Sequence, residues 1–285
     1  MAPRAPAVCP SGLALAGLMA IALSCLTSPA EAGCYLERGV TTPNELDAYT
    51  CQRSQDFQKD LDRLPLNTTK LVNVSFRESK VPKIEKDSLQ KLKTKVLGIS
   101  IVHCGLADID EEAFRGLTEL KALILRRNRL TKVKKEWFKD LAKLESLDLS
   151  GNEIREFDPA IFELTPQIQE FEISENQVSH FDVEAMKAKW PKLKKVGLQS
   201  NPYEWAQGVK VIEYSNQHPS VVKNSYASID GMRDTYKLVL ECQATMAKKD
   251  DAKELDNCVK AKLAKAIESP KLLEGEVKPE PTKPL

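Results

Sequence analysis

The sequence has few aromatic residues, few histidines and no excess of charge of either sign. Phe, Trp and Tyr make up 6% of its 285 residues, so a core has to be built mainly from aliphatic side chains. Lys plus Arg number 42 and Asp plus Glu 41, a formal net charge of +1. Nucleic-acid binding needs a basic surplus on one face, and this balance indicates none. The 3 histidines are scattered, and no metal-ligand spacing, phosphate loop or nucleophile motif is present. We therefore expect neither an enzyme nor a bound metal or cofactor.

Long apolar runs are also missing, except near the beginning of the chain. Arg4 is followed by an apolar stretch from Leu13 to Leu26, and Ala30-Glu31-Ala32 then places small residues where a signal peptidase reads them. This pattern predicts a secretory signal peptide over residues 1–32. The alternative, an uncleaved anchor, needs about 20 apolar residues and no cleavage site. No later segment is apolar enough to span a bilayer, and the Pro- and charge-rich residues 269–285 are predicted to be a disordered tail. We expect a secreted, extracellular protein.

Secretion changes what the cysteines indicate. Two of the 7 cysteines lie in the predicted signal peptide, and disulfides are the default for the others in an oxidising compartment. Cys34 lies close in sequence to Cys51, and Cys242 lies close to Cys258, so these two bridges are expected. Pairing near neighbours leaves Cys104 alone, as a free thiol or as half of an intermolecular bridge.

The strongest signal in the sequence is an internal repeat. The segment from Leu120 to Leu130 has the pattern Leu-x-x-Leu-x-Leu-x-x-Asn-x-Leu, which returns from Leu144 to Ile154 and in degenerate copies on either side. We call the residue at the Asn position the anchor. It recurs every 24 or 25 residues. The six anchors are Ser79, Cys104, Asn128, Asn152, Asn176 and Asn201. Apolar residues also stand five and ten positions after each of the first five anchors.

This pattern resembles the extracellular leucine-rich-repeat family in its typical 24-residue form, over residues 71–203. The resemblance implies an α/β solenoid, a horseshoe of about six repeats whose short strands form a parallel concave sheet. Each anchor side chain is expected to bond backbone groups of neighbouring turns, while the apolar residues stack into one continuous core. The family tolerates Cys at the anchor, which favours a buried free thiol at Cys104 over an intermolecular bridge.

A stacked core needs a cap at each end. We expect a disulfide-closed N-terminal cap over residues 33–70 and a helical C-terminal cap over residues 204–268. The family's caps usually carry four cysteines, so two at each end is a departure. Residues 229–247 and 251–267 are predicted helices, and a hairpin closed by the second disulfide is expected to cover the last repeat. The alternative is that these helices bind a partner or support oligomer formation.

Binding is the function that this architecture suits. Residues two, four and six before each anchor should point outward onto the concave sheet, because side chains alternate along a strand. The candidate ligand-binding residues are Arg77, Val102, Ile124, Arg126, Asp148, Glu170 and Glu172. They predict an apolar spot beside Arg126 and an acidic stripe in the later repeats, with Arg127 and Glu175 at the rim. The alternative is a solvated surface whose charges are scattered by chance.

Two further features bear on this surface. The sequons Asn67-Thr-Thr and Asn73-Val-Ser are candidate N-glycosylation sites, and a sugar on Asn73 would lie on the concave face of the first repeat. Ligand contact would then shift towards repeats two to five. His103 and Cys104 are neighbours at a strand end, so their side chains should point to opposite faces. We therefore expect no Cys–His nucleophile.

These observations predict a secreted glycoprotein that binds an extracellular protein or peptide through its concave face. Its reduced caps and helical C-terminus resemble invertebrate family members of innate immunity, so a role there or in extracellular signalling is expected. The alternative is a structural protein of the extracellular matrix or of adhesion, which would associate with polymers and with copies of itself.

Overall fold

The computed structural model describes residues 33–37, 46–66, 70–93, 95–218, 220–221, 238–246 and 251–268. The predicted signal peptide, the sequon at Asn67 and the predicted tail lie outside these residues. Within them, no helix has the length and apolar character that crossing a bilayer requires.

Short strands make up most of the regular structure. In chain order they are β1 Gly33–Leu36, β2 Asp47–Gln52, β3 Val72–Arg77, β4 Lys83–Ile84, β5 Val96–Val102, β6 Asp108–Ile109, β7 Ala122–Ile124, β8 Lys132–Val133, β9 Ser146–Asp148, β10 Glu156–Phe157, β11 Glu170–Glu172 and β12 Lys195–Gly197. Eight of them form one sheet in the order β1-β2-β3-β5-β7-β9-β11-β12. Every pair from β2 onward is parallel, and β1 alone runs antiparallel to its neighbour. This is the parallel sheet of the predicted solenoid.

Helical segments lie on the other side of the sheet and at both ends. They are α1 Phe57–Arg63, α2 Ile161–Leu164, α3 Val183–Lys189, α4 Trp205–Gln217, α5 at residues 238–245 and α6 Ala252–Glu268, with single 3₁₀ turns at Gln90–Leu92 and Lys135–Phe138. The apolar residues after each anchor pack beneath the sheet. All ten of these are buried except Phe157, which is half-buried: Ile84, Leu89, Ile109, Phe114, Val133, Phe138, Phe157, Phe162, Phe181 and Met186.

The anchors hold successive turns together as expected. Asn128 accepts hydrogen bonds from the backbone N–H groups of Cys104 (3.0 Å) and Leu106 (3.2 Å). Its amide nitrogen donates to the carbonyls of Ile101 (2.7 Å) and Leu125 (2.9 Å). These are polar backbone groups of two adjacent turns, which water cannot reach and which would otherwise be unsatisfied. At the bend after each strand, the anchor side chain thus makes the backbone hydrogen bonds that neighbouring strands make within the sheet.

The residue before each anchor adopts a left-handed backbone conformation, with φ between 50° and 64°. In order these residues are Arg53, Glu78, His103, Arg127, Gly151, Glu175 and Ser200. The first of them, Arg53, marks a turn in addition to the six predicted from the sequence. Its anchor is Ser54, whose backbone N–H donates to the Ser79 hydroxyl at 3.0 Å. The N-terminal cap therefore contains a seventh, degenerate repeat, and its strand β2 extends the concave sheet.

Most buried core residues are aliphatic, as expected, but aromatic rings also contribute throughout, from the Phe57–Phe76 pair (4.7 Å between ring centroids) in the first turns to a cluster in the last repeats. Five aromatic rings pack together beneath β9 to β12, with centroid separations of 4.8 to 5.8 Å. The five are Phe157, Phe162, Phe171, Phe181 and Trp190. Five of the 17 aromatic residues of the chain therefore form one cluster that fills the interior of the last repeats.

Both caps contain the expected disulfides, Cys34–Cys51 and Cys242–Cys258. The covering of the last repeat differs from the prediction. Helix α4, rather than the hairpin of α5 and α6, places Val211 and Tyr214 in the repeat core. The hairpin packs on the other side of α4, around Val209 and the second disulfide. Oligomer formation through these helices stays a prediction.

Candidate ligand-binding site

The concave face is organised in rows that run across the strands. Since the register keeps equivalent residues opposite one another, each row contains one side chain per repeat. The first row is Ala48, Asn73, Gly98, Ala122, Ser146, Glu170 and Lys195. The second row is Thr50, Ser75, Ser100, Ile124, Asp148, Glu172 and Gly197. The candidate residues Arg77 and Val102 lie opposite each other in the third row, and Arg126 is the residue two beyond Ile124 on the same strand.

Two carboxylates stand side by side at the centre of the later repeats. Asp148 on β9 lies directly opposite Glu172 on β11. Each is oriented by the serine two residues further along its strand: the Ser150 hydroxyl donates to Asp148 at 2.6 Å, and the Ser174 hydroxyl donates to Glu172 at 2.6 Å. The Asp148 carboxylate also accepts from the Ser150 backbone N–H at 3.0 Å. Both acids are half-buried and face the concave surface. We call them the acidic pair.

The neighbouring strand leaves room for the acidic pair. Glu172 leans across Gly197 of β12, and a Cβ atom on this glycine would lie 1.7 Å from its Oε1 atom. No side chain larger than hydrogen fits there without displacing the carboxylate. Glycine at this position therefore allows the Glu172 side chain to lie across the surface of the sheet instead of extending into solvent.

The sequence predicts that Glu170 belongs to the same acidic stripe, but in the structure a lysine pairs with its carboxylate. Lys195 on β12 lies opposite Glu170, and its Nζ donates to the carboxylate at 2.6 Å. Both side chains are about half exposed, so this pair contributes little to stability. The predicted stripe of acids is therefore interrupted at Glu170, where a lysine lies opposite.

An apolar spot adjoins the acidic pair, as the sequence predicts. Ile124 lies next to Asp148 in the second row, and Val102 and Ala122 flank it on the same face, all half-buried. Arg126 is exposed two residues after Ile124. The surface thus presents an aliphatic side chain with a basic residue and an acidic residue as neighbours.

The His103–Cys104 neighbours diverge. His103 is exposed in the left-handed conformation, while the Cys104 side chain is 5% exposed beneath the sheet. Its thiol contacts the carbonyls of Val102 (3.3 Å) and Phe76 (3.5 Å), and burial raises its pKa. A protonated thiol facing backbone carbonyls is a weak nucleophile. Among the described residues, no group of three or more His, Cys, Asp or Glu could hold a metal ion.

The fold and the hydrogen bonds of the stacked anchors define a class of protein. It is a solenoid of stacked strand-and-turn units, an architecture that presents an extended concave surface for binding. Residues 98–154 and 118–178 match the family model described as "Leucine rich repeat". The matched residues lie within the solenoid, which has the architecture of stacked leucine-rich repeats. No curated protein matches it.

Solved structures with similar folds are numerous, at 331 matching chains. One is the "Crystal structure of TLR13-ssRNA13 complex", which is 24% identical with a TM-score of 0.47. The alignment covers 54% of this chain and 21% of that chain, so the present chain spans about a fifth of that protein's length. A likeness of this extent says nothing about the ligand of this chain.

Three features of this face did not follow from the sequence analysis. The first is the strand β2, which adds Ala48 and Thr50 to the surface. The second is the pair of serines that orient the acids, although the Asp-x-Ser and Glu-x-Ser spacings signal it because residues i and i+2 share a face. The third is the opposition of Glu170 and Lys195, which follows from their separation by one 25-residue repeat.

Proposed function

We propose that this protein is secreted and binds a protein or peptide ligand on its concave face, with a basic side chain of the ligand seated on the acidic pair. The observation that carries the proposal is the direct opposition of Asp148 and Glu172 on neighbouring strands. Like charges opposite each other destabilise a sheet. A lysine or arginine of a ligand would place a positive charge against two carboxylates whose positions the serine hydroxyls fix.

The surroundings support a side chain with an apolar stem. Ile124 lies next to Asp148, so the methylene groups of a ligand lysine or arginine would pack on it while the charged end reaches the carboxylates. Arg126, two residues after Ile124 and exposed, suits an acidic residue of the same ligand. The face therefore favours an extended segment that carries both signs of charge.

The size of the surface limits the ligand. Seven strands from β2 to β12 span about 29 Å, and five residues along each strand about 17 Å, which gives an area on the order of 500 Å². A standard protein interface buries about 800 Å² on each side. The concave face alone suits a peptide or a protruding loop, and a globular partner would need the rim as well.

The compartment and the process belong to the same proposal. Two disulfides fit an oxidising environment, in agreement with the signal peptide predicted from the sequence. The reduced caps support a role in extracellular recognition of the innate-immune kind, in preference to a matrix component.

The test uses the mature, disulfide-bonded protein as bait in extracellular fluid of the source organism. The wild type is compared with the double variant Asp148→Asn, Glu172→Gln, which removes both charges and keeps the side-chain shapes. The matched control is Glu156→Gln, Glu184→Gln, because these two glutamates are exposed outside the concave face.

We expect a discrete protein that the wild type and the control capture and the concave variant does not. With the purified partner, calorimetry should show one-to-one binding and a Kd at least tenfold weaker for the concave variant, a loss of about 1.4 kcal/mol. Equal affinities of the variant and the control would refute the acidic pair as the site. Recovery of self-associated material alone would favour the matrix function.

A further inference from the structure

The sequon Asn73-Val74-Ser75 lies inside strand β3, in the middle of the concave sheet. Alternation along the strand turns Val74 into the core, where it is 2% exposed. Asn73 and Ser75 are half-buried and both face the concave surface. The two residues that define the sequon are therefore on the same side of the strand, and no rearrangement of the fold is needed for the asparagine to carry a substituent.

The residues around Asn73 are small. In its own row it is flanked by Ala48 on β2 and Gly98 on β5. In the neighbouring row, Ser75 lies between Thr50 and Ser100. We call these five neighbours of Asn73 the floor. It spans β2 to β5, two strand spacings or about 10 Å.

The asparagine side chain leans over Gly98 on β5. A Cβ atom on Gly98 would lie 2.7 Å from the Asn73 Oδ1 atom but 3.7 Å from its Nδ2 atom. The carbonyl oxygen is thus the end nearer to Gly98, and the nitrogen, which is the atom that bonds to a sugar, is the end farther from it.

We infer that Asn73 carries an N-linked glycan, and that this glycan covers the floor and confines the ligand to the strands from β7 to β12. The reaction requires the lipid-linked oligosaccharide donor of the secretory pathway. Asn73 Nδ2 forms a bond to C1 of the first N-acetylglucosamine and loses one proton, and the bond from that C1 to the lipid diphosphate breaks. The inference rests on the secretion that the proposed function includes.

The consequence concerns the footprint of the ligand. With the floor occupied, the open concave face shrinks to four strands, about 14 Å by 17 Å or on the order of 240 Å². The acidic pair and Ile124 remain open, whereas Arg77 stands beside the glycan at the end of β3. Such an area fits one loop or a short peptide and excludes a globular face.

The modification is tested by intact-mass and glycopeptide mass spectrometry of protein secreted from eukaryotic cells. The expression uses a well-characterised secretion signal in place of residues 1–32, so the outcome does not depend on the predicted signal peptide or on any ligand. The wild type is compared with Asn73→Gln and with Ser75→Ala, which keeps the asparagine and abolishes the sequon. Asn67→Gln is the control for the other sequon.

We expect the loss of one N-glycan mass in both Asn73→Gln and Ser75→Ala, and a glycosylated Asn73 peptide in Asn67→Gln. An unmodified Asn73 peptide in the secreted wild type would overturn the inference. Ser75→Ala is also expected to fold as the wild type does, because a small residue at this half-buried position leaves the core beneath it unchanged.

The covering of the floor needs a separate measurement. Ser100→Cys places a thiol on the floor, and Ser88→Cys places one at a half-buried position outside the concave sheet. Each is labelled with an uncharged maleimide in the glycosylated protein and again in the Ser75→Ala background. We expect removal of the glycan to accelerate labelling at position 100 and to leave position 88 unchanged. Equal rates at position 100 would show that the glycan leaves the floor open.

Discussion

The hydrogen bonds of the anchors predict a large loss in the free energy of unfolding for Asn152→Ala. The Asn152 side chain is 7% exposed. Its oxygen accepts from the backbone N–H of Leu130 at 3.1 Å, and its nitrogen donates to the carbonyls of Leu125 (3.0 Å) and Leu149 (2.8 Å). Alanine removes these three hydrogen bonds, together with a longer one to the Ser150 carbonyl (3.4 Å). The partners of the first three are then left buried between two turns, where no solvent replaces the amide.

The magnitude follows from these contacts. A hydrogen bond contributes about 0.5–1.5 kcal/mol net, and a buried group left unsatisfied costs about 1–3 kcal/mol. Three partners therefore give a loss of about 4 kcal/mol in the free energy of unfolding. For a domain of this size, 1 kcal/mol shifts Tm by roughly 2–4 °C, so the variant should melt about 8–16 °C below the wild type.

The assay is urea and thermal unfolding of the disulfide-bonded protein, followed by circular dichroism. The control is Glu153→Ala, an exposed neighbour on the same turn, which should change stability by less than about 0.5 kcal/mol. A loss below about 1 kcal/mol for Asn152→Ala, with an unchanged urea slope, would refute the view that the anchors satisfy the backbone between turns.

Three further predictions concern the cysteines and a buried tyrosine. Because burial raises the pKa of the Cys104 thiol, native protein should react slowly with iodoacetamide and unfolded protein rapidly; equal rates would contradict its burial. Burial also raises the pKa of the Tyr203 hydroxyl, which donates to the Leu198 carbonyl. An unfolded tyrosine ionises near pH 10, so this group's contribution to stability is complete below about pH 10 and declines above it; Tyr203→Phe should weaken the alkaline loss in urea midpoint. Removal of the Cys242–Cys258 bridge, which closes a separation of 16 residues, should cost the hairpin about 3 kcal/mol and lower the helical signal while the sheet persists.

Much of the repeat region could be predicted because it follows from period and alternation alone. Anchors spaced by 24 or 25 residues fix which strands are neighbours, and the alternation of side chains fixes which residues face the concave surface. The degenerate turn at Ser54 was not predicted because two of its strand positions, Tyr49 and Cys51, depart from leucine. In the structure both are buried and fill the leucine places.

The C-terminal cap was harder to predict because α4 buries two faces. Val211 and Tyr214 contact the repeats while Val209 contacts the hairpin, so the helix lacks the single apolar stripe from which a surface helix is recognised.

The acidic pair shows another limit. Residue spacing places Asp148 and Glu172 in one row, but the serine hydrogen bonds and the room above Gly197 depend on side-chain conformations that a sequence pattern does not contain.

The central claim is that the ligand covers the acidic pair. Carboxyl footprinting of the mature protein, by carbodiimide coupling and mass spectrometry with and without the captured ligand, tests it most directly. The account predicts that Asp148 and Glu172 are labelled less in the complex, while Glu156 and Glu184 are labelled equally in both states. Unchanged labelling of the acidic pair in a saturated complex would contradict recognition at this face.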